Sequence, residues 1–208
     1  DLMAPFKIRN AGQVCISPTR FLVQDGIADE FISGFVDRMA SIKLGNGLDP
    51  DTQMGPLANE RRIPAIEAMI SDATAKGATI ATGGERVGNK GYFFQPTVLT
   101  DVPLDAKIMN DEPFGPVALV NRFSTFDDVI TEANRLPFGL ASYAFSSSAG
   151  TIRRLSHEVE AGMLTINHLG FSAPEVPFGG IQDSGYGTEG GAEAIQAYLE
   201  TRFVTAMT

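Results

Sequence analysis

Cys15 is the only cysteine of the chain, and it ends the run Asn10-Ala11-Gly12-Gln13-Val14-Cys15. A thiolate is a strong nucleophile when an electrophile can reach it, and a glycine just upstream leaves backbone that another group can approach closely. A lone cysteine also serves in many proteins as a small buried hydrophobe, so the spacing leaves both uses open. Two further stretches are built in the same way, from glycine and proline with a polar residue at the edge. They are Glu112-Pro113-Phe114-Gly115-Pro116, and Pro177-Phe178-Gly179-Gly180 followed by Ser184-Gly185-Tyr186-Gly187. Loops of this kind interrupt regular structure, which is where a rigid scaffold carries its chemistry. His157 and His168 have no partners at metal-ligand spacing, and no metal site is assigned.

The elements that must position these loops alternate between extended and helical periods, which predicts an α/β domain. Arg20 to Gln24 is read as a strand. Asp25 then opens a helix whose stripe is Ile27, Phe31, Phe35, Met39 and Ile42, ending near Leu44-Gly45. A second helix carries Ile63, Ile66, Met69, Ile70 and Ala73 and stops at Lys76-Gly77. Ala78 to Thr82, Phe93 to Leu99 and Val117 to Phe123 are read as extended. Thr125 and Asp128 are spaced as a capping pair before Phe126, Val129, Ile130 and Ala133. Another helix passes through Ile152, Leu155 and Val159; Ser142 to Phe145, Met163 to Ile166 and a terminal segment, Thr201 to Ala206, complete the strands.

The chain has 208 residues, 43% of them hydrophobic, enough for one sizeable core. Its net charge of −9, with no basic block, argues against electrostatic capture of nucleic acid or of an anionic membrane. No apolar run approaches a membrane span, and one cysteine allows no internal disulfide, so a reducing, cytoplasmic setting is expected. The opening Asp1-Leu2-Met3 lacks an initiator methionine and a signal-peptide pattern, and a piece of a longer polypeptide is expected.

Taken together and in this order, the three loops resemble the aldehyde dehydrogenase superfamily, whose catalytic domain carries an Asn-x-Gly-Gln-x-Cys, a Glu-x-Phe-Gly-Pro and a Pro-Phe-Gly-Gly…Ser-Gly-x-Gly segment. The resemblance implies a three-layer catalytic domain, a mostly parallel sheet flanked by helices, over residues 1–198, with an oligomerisation strand over 199–208. The N-terminal dinucleotide-binding domain would be absent, and with it the general base and an asparagine of the oxyanion hole. The resemblance further implies Cys15 as nucleophile, its own N–H as an oxyanion donor, and NAD or NADP as cofactor. Glu112 would hold the ribose hydroxyls beside the nicotinamide, Phe114 would pack near that ring, and Phe178 would wall the aldehyde pocket. Glu189 falls where relatives keep a second glutamate, but Thr188 replaces the arginine common before it.

Arg9, six residues before Cys15, resembles the arginine with which succinate-semialdehyde dehydrogenases bind the far carboxylate of the substrate, and Ser172 would add a hydroxyl donor. Ser17 stands where some of these enzymes keep a second, regulatory cysteine, so no such disulfide is expected. The alternatives left open are a general or CoA-acylating aldehyde dehydrogenase, and a non-catalytic interaction domain on the same scaffold. A homo-oligomer acting on a small aldehyde is expected, the truncated chain itself being inactive as a dehydrogenase.

Overall fold

The computed structural model describes residues 2–171 and 173–208. Its contacts divide the chain into two compact units, Asp1–Glu132 and Ala133–Thr208.

In the first unit, the short helix α1 (Met3–Ile8) leads into the Asn10–Cys15 loop and then into strand β1 (Arg20–Gln24). Helices α2 (Asp25–Ala40) and α3 (Arg62–Ala75) follow, then β2 (Thr79–Thr82), β3 (Thr97–Thr100), α4 (Lys107–Asn110), β4 (Val117–Phe123) and α5 (Phe126–Ala133). The sheet order is β1-β4-β3-β2: β1 pairs with β4 and β4 with β3 in parallel, while β2 runs antiparallel along β3. Val98 and Leu99 of β3 and Val117 to Val120 of β4 are buried without alternation, as central strands of a sheet covered on both faces must be. Ala28, Phe35 and Met39 of α2 and Ile63, Ile66, Ile70 and Ala73 of α3 join them in one core. The rings of Phe21 and Phe35 meet at 4.9 Å between centroids.

β1 and β4 have the bounds the sequence predicts. So does the capping pair before α5, where the Asp128 N–H donates to Thr125 Oγ1 and the Thr125 N–H donates to Asp128 Oδ2, each at 3.2 Å. Elsewhere the structure departs from the reading. α2 stops at Ala40 and not near Leu44, because Ser41 turns its hydroxyl back on the Arg38 carbonyl at 2.9 Å. Ile27, expected on its buried stripe, is 58% exposed; Ala28, Phe35 and Met39 define the stripe instead. β3 begins only at Thr97, not Phe93, since Pro96 has no N–H to give a ladder. Helices α1 and α4 are too short for the periodicity to reveal.

The second unit holds β5 (Phe138–Gly139), β6 (Ala141–Ala144), α6 (Ala149–Glu158), β7 (Met163–Ile166) and β8 (Ile181–Gln182). β6 and β7 are parallel neighbours joined through α6, and β5 pairs with β8 antiparallel. Ser148 caps α6 by accepting from the Thr151 N–H at 3.3 Å. The Pro177–Gly180 loop lies so close to β7 that a Cβ at Gly162 would stand 2.1 Å from the Gly179 carbonyl oxygen. Thr201 to Ala206, predicted as a terminal strand, pairs with no strand among the described residues, and Phe203 there is 87% exposed. Among the described residues no helix is long and apolar enough to cross a membrane.

Candidate active site

The first two sequence loops feed the first residues of β1 and β4. Because those strands are adjacent and parallel, with Arg20 opposite Leu119, the loops emerge at the same sheet edge. They touch there. A Cβ built on Gly12 would lie 2.1 Å from the Gly115 carbonyl oxygen and 2.4 Å from its carbon, so only glycine admits this approach.

The Cys15 loop holds its own shape. Asn10, Ala11 and Gly12 all have left-handed backbone, with φ of 49°, 53° and 72°. That conformation costs an alanine on the order of 1 kcal/mol, and surrounding bonds offset it. Asn10 Nδ2 donates to the Gln13 carbonyl while the Gln13 N–H and Nε2 both donate to the Asn10 carbonyl, each at 3.0 Å. Gln13 Oε1 accepts from the Ala58 N–H, also at 3.0 Å, tying the loop to the segment before α3. Ser17 closes the far side, its N–H on the Val14 carbonyl at 2.8 Å and its hydroxyl on the Lys7 carbonyl at 3.2 Å. In the turn so formed the Cys15 thiol is exposed, which does not fit the buried-hydrophobe use of a lone cysteine.

The partner loop presents Glu112, exposed, and Phe114, partly exposed in left-handed backbone with φ 40°. Arg62 of α3 braces it by donating from Nη2 to the Pro113 carbonyl. Arg62 Nε, although buried, has no hydrogen-bond partner among the described residues. On α1, just before the Cys15 loop, lies Lys7, only 1% exposed. Burial pushes its amine down to about 7, against a smaller opposing effect of the Glu112 charge. Arg9 is exposed, with its guanidinium 5.3 Å from the centre of the Phe6 ring.

Phe178 belongs to the second unit. It is half-buried and exchanges backbone hydrogen bonds with Glu189, at 2.6 and 2.7 Å, which links two residues the sequence singled out separately. His168 borders a cavity of about 320 Å³ lined also by Met163, Phe171 and Val176. Ser172 lies outside the described residues.

Sequence reasoning passed over Lys7, Gln13 and Arg62. Gln13 stood in the Asn-x-Gly-Gln-x-Cys run without a role assigned to it, and Lys7 falls between Ala4 and Ile8 on the inner face of α1, where a lysine is out of place.

An exposed thiol on a preorganised loop, beside a carboxylate and an aromatic ring on another, is suited to covalent chemistry next to a bound polar group. Comparison with known proteins places the chain in a class. The family model described as "Aldehyde dehydrogenase family" matches residues 2–204, and the chain belongs to that family. It is 46% identical over 204 residues to the 4-(hydroxymethyl)benzenesulfonate dehydrogenase TsaD1 of Comamonas testosteroni, covering 98% of this chain and 42% of that protein. It is 43% identical over 199 residues to the mitochondrial succinate-semialdehyde dehydrogenase of Rattus norvegicus, covering 95% of this chain and 38% of that protein. Among solved structures, an NADP-dependent enzyme of E. coli superimposes with a TM-score of 0.92 at 41% identity, covering 95% of this chain and 41% of that one. The chain thus spans about two fifths of the length of the relatives it matches.

Proposed function

We propose that these residues are the catalytic portion of an NAD(P)-dependent aldehyde dehydrogenase that oxidises a semialdehyde, succinate semialdehyde first, to its acid. The observation that carries this reading is the backbone contact between Gly12 and Gly115, which sets an exposed thiol loop against an exposed carboxylate loop.

Cys15, as thiolate, attacks the aldehyde carbon; the C=O π pair moves to oxygen and a tetrahedral thiohemiacetal forms on sulfur. The Cys15 N–H donates to that oxygen as its charge develops. The residues suit a nicotinamide dinucleotide: the exposed Glu112 carboxylate can accept from two ribose hydroxyls, and Phe114 offers an apolar ring beside it. When bound, the nicotinamide supplies the acceptor for the hydride that leaves the tetrahedral carbon. Cys15 then carries a thioester, which water cleaves to release the acid and restore the thiol. Arg9 pairs with the far carboxylate and turns the carbonyl toward Cys15. Residues 199–208 pair with a second subunit.

The test uses the full-length protein that contains these residues. Cys15→Ser should abolish cofactor reduction. Succinate semialdehyde should be preferred over a neutral aldehyde of similar length, and Arg9→Ala should erase most of that preference; equal kcat/KM for both substrates would remove the carboxylate clamp. A second reading is a sulfonated aldehyde, favoured by the relative named for a benzenesulfonate and by the equal fit of a guanidinium to sulfonate. A sulfonated aldehyde in the same assay separates the two.

A further inference from the structure

Arg62 is the first residue of α3, and its half-buried side chain reaches the loop that carries Glu112 and Phe114. Nη2 donates to the Pro113 carbonyl, while Nε is buried without a hydrogen-bond partner among the described residues. A guanidinium drawn out of water to meet a neutral carbonyl is costly, so stability alone gives no reason for the contact. The loop does give one. Pro113 is buried and its carbonyl must find a donor, yet neither Pro113 nor Pro116 brings an N–H to the loop. The next residue, Phe114, has left-handed backbone with φ 40°, a conformation that surrounding contacts must hold.

A single peptide plane joins these facts, because it carries both the Pro113 carbonyl and the Phe114 N–H. Turned over, it would free the carbonyl and return Phe114 to an ordinary negative φ, swinging the Phe114 ring and the Glu112 carboxylate away from their present directions. Gly115 leaves no room to absorb that turn. Ile66, one turn along α3 from Arg62, packs so closely on it that a Cβ there would lie 2.4 Å from Ile66 Cδ1. The thiol loop is held to the segment before α3 by a separate bond, the Ala58 N–H on Gln13 Oε1 at 3.0 Å, in which Arg62 takes no part. We infer that Arg62 is a positioning residue for the cofactor loop: its bond to the Pro113 carbonyl fixes the 113–114 peptide plane, and with it the directions of Glu112 and Phe114. The inference rests on the reading of those two residues as cofactor-binding. Its loss weakens cofactor binding and leaves the thiol loop as it was.

The experiment is a double-mutant cycle on the full-length protein, reading NADH and NADPH binding by nucleotide fluorescence and, without cofactor, Cys15 labelling by iodoacetamide. Arg62→Met keeps most of the apolar stem and removes the donor, and should weaken cofactor binding about ten-fold, the size of one lost charge-assisted hydrogen bond. Arg62→Lys, with one shorter-reaching donor, should weaken it only about three-fold. Glu112→Gln should itself weaken binding, and adding Arg62→Met to it should cost clearly less than Arg62→Met costs alone. Additive losses would overturn the inference, since Arg62 would then act apart from Glu112. Labelling of Arg62→Met should proceed at the wild-type rate; a changed rate would mean general disruption of the site and overturn it too. Wild-type affinity in Arg62→Met beside a weakened Glu112→Gln would overturn the role of Arg62 alone, whereas wild-type affinity in Glu112→Gln would overturn the cofactor reading beneath it. If Arg62→Met does not fold, Arg62→Lys decides: weakened binding with unchanged labelling upholds the inference, and unchanged binding overturns it.

Discussion

Replacing Gly12 by alanine adds one methyl group where the two site loops touch. The new Cβ would stand 2.1 Å from the Gly115 carbonyl oxygen, 2.4 Å from its carbon and 2.9 Å from Pro116 N, all of them backbone atoms that cannot swing aside. A left-handed φ of 72° adds on the order of 1 kcal/mol for any residue with a Cβ, and overpacking adds roughly 1–3 kcal/mol, so the folded state should lose about 3 kcal/mol. Either the loops part by about an ångström, or the Asn10–Gln13 hydrogen bonds give way; both displace Glu112 relative to Cys15. Because a misplacement of that size costs on the order of a hundred-fold in rate, kcat/KM for the aldehyde should fall by about that factor. Urea denaturation and steady-state kinetics on the full-length protein measure the two effects. Gly34→Ala is the matched control: Gly34 lies in the interior of α2 with nothing within 4 Å of a Cβ, so alanine there should stabilise by about 1 kcal/mol and leave kinetics unchanged. A Gly12→Ala protein with the wild-type urea midpoint and wild-type kcat/KM would refute the reasoning.

Lys7 also makes stability depend on pH. Its amine falls to about 7 in the folded state from an ordinary 10.5, so below pH 7 both states are protonated and the burial penalty is fully present. Between pH 7 and 10.5 the unfolded chain keeps a proton the folded one has released, and stability rises with pH. The rise from pH 7 to 9 should be roughly 2 kcal/mol, read from urea midpoints; Lys7→Met should abolish it, and an equal slope in both proteins would show that Lys7 does not carry it. Thr125→Ala removes one arm of the α5 capping pair and should cost about 1 kcal/mol, with no effect on Cys15 labelling. An unchanged urea midpoint would refute that contribution.

Local chemistry alone determined much of this protein. The segment Val117 to Phe123 was legible as extended, and Thr125 with Asp128 as a capping pair at a helix start. The three glycine-proline loops carried a family resemblance that needed no coordinates. What lay beyond the sequence was everything set by packing between distant segments. Helices α1 and α4 are too brief to show a period, and they hold because the core covers them. Residues 12 and 115 meet because β1 and β4, far apart in the chain, pair in parallel and deliver their leading loops to one edge. The burial of Lys7 was likewise beyond the sequence: a lysine reads as solvated in any local window, and only the closing of a core around α1 removes its water.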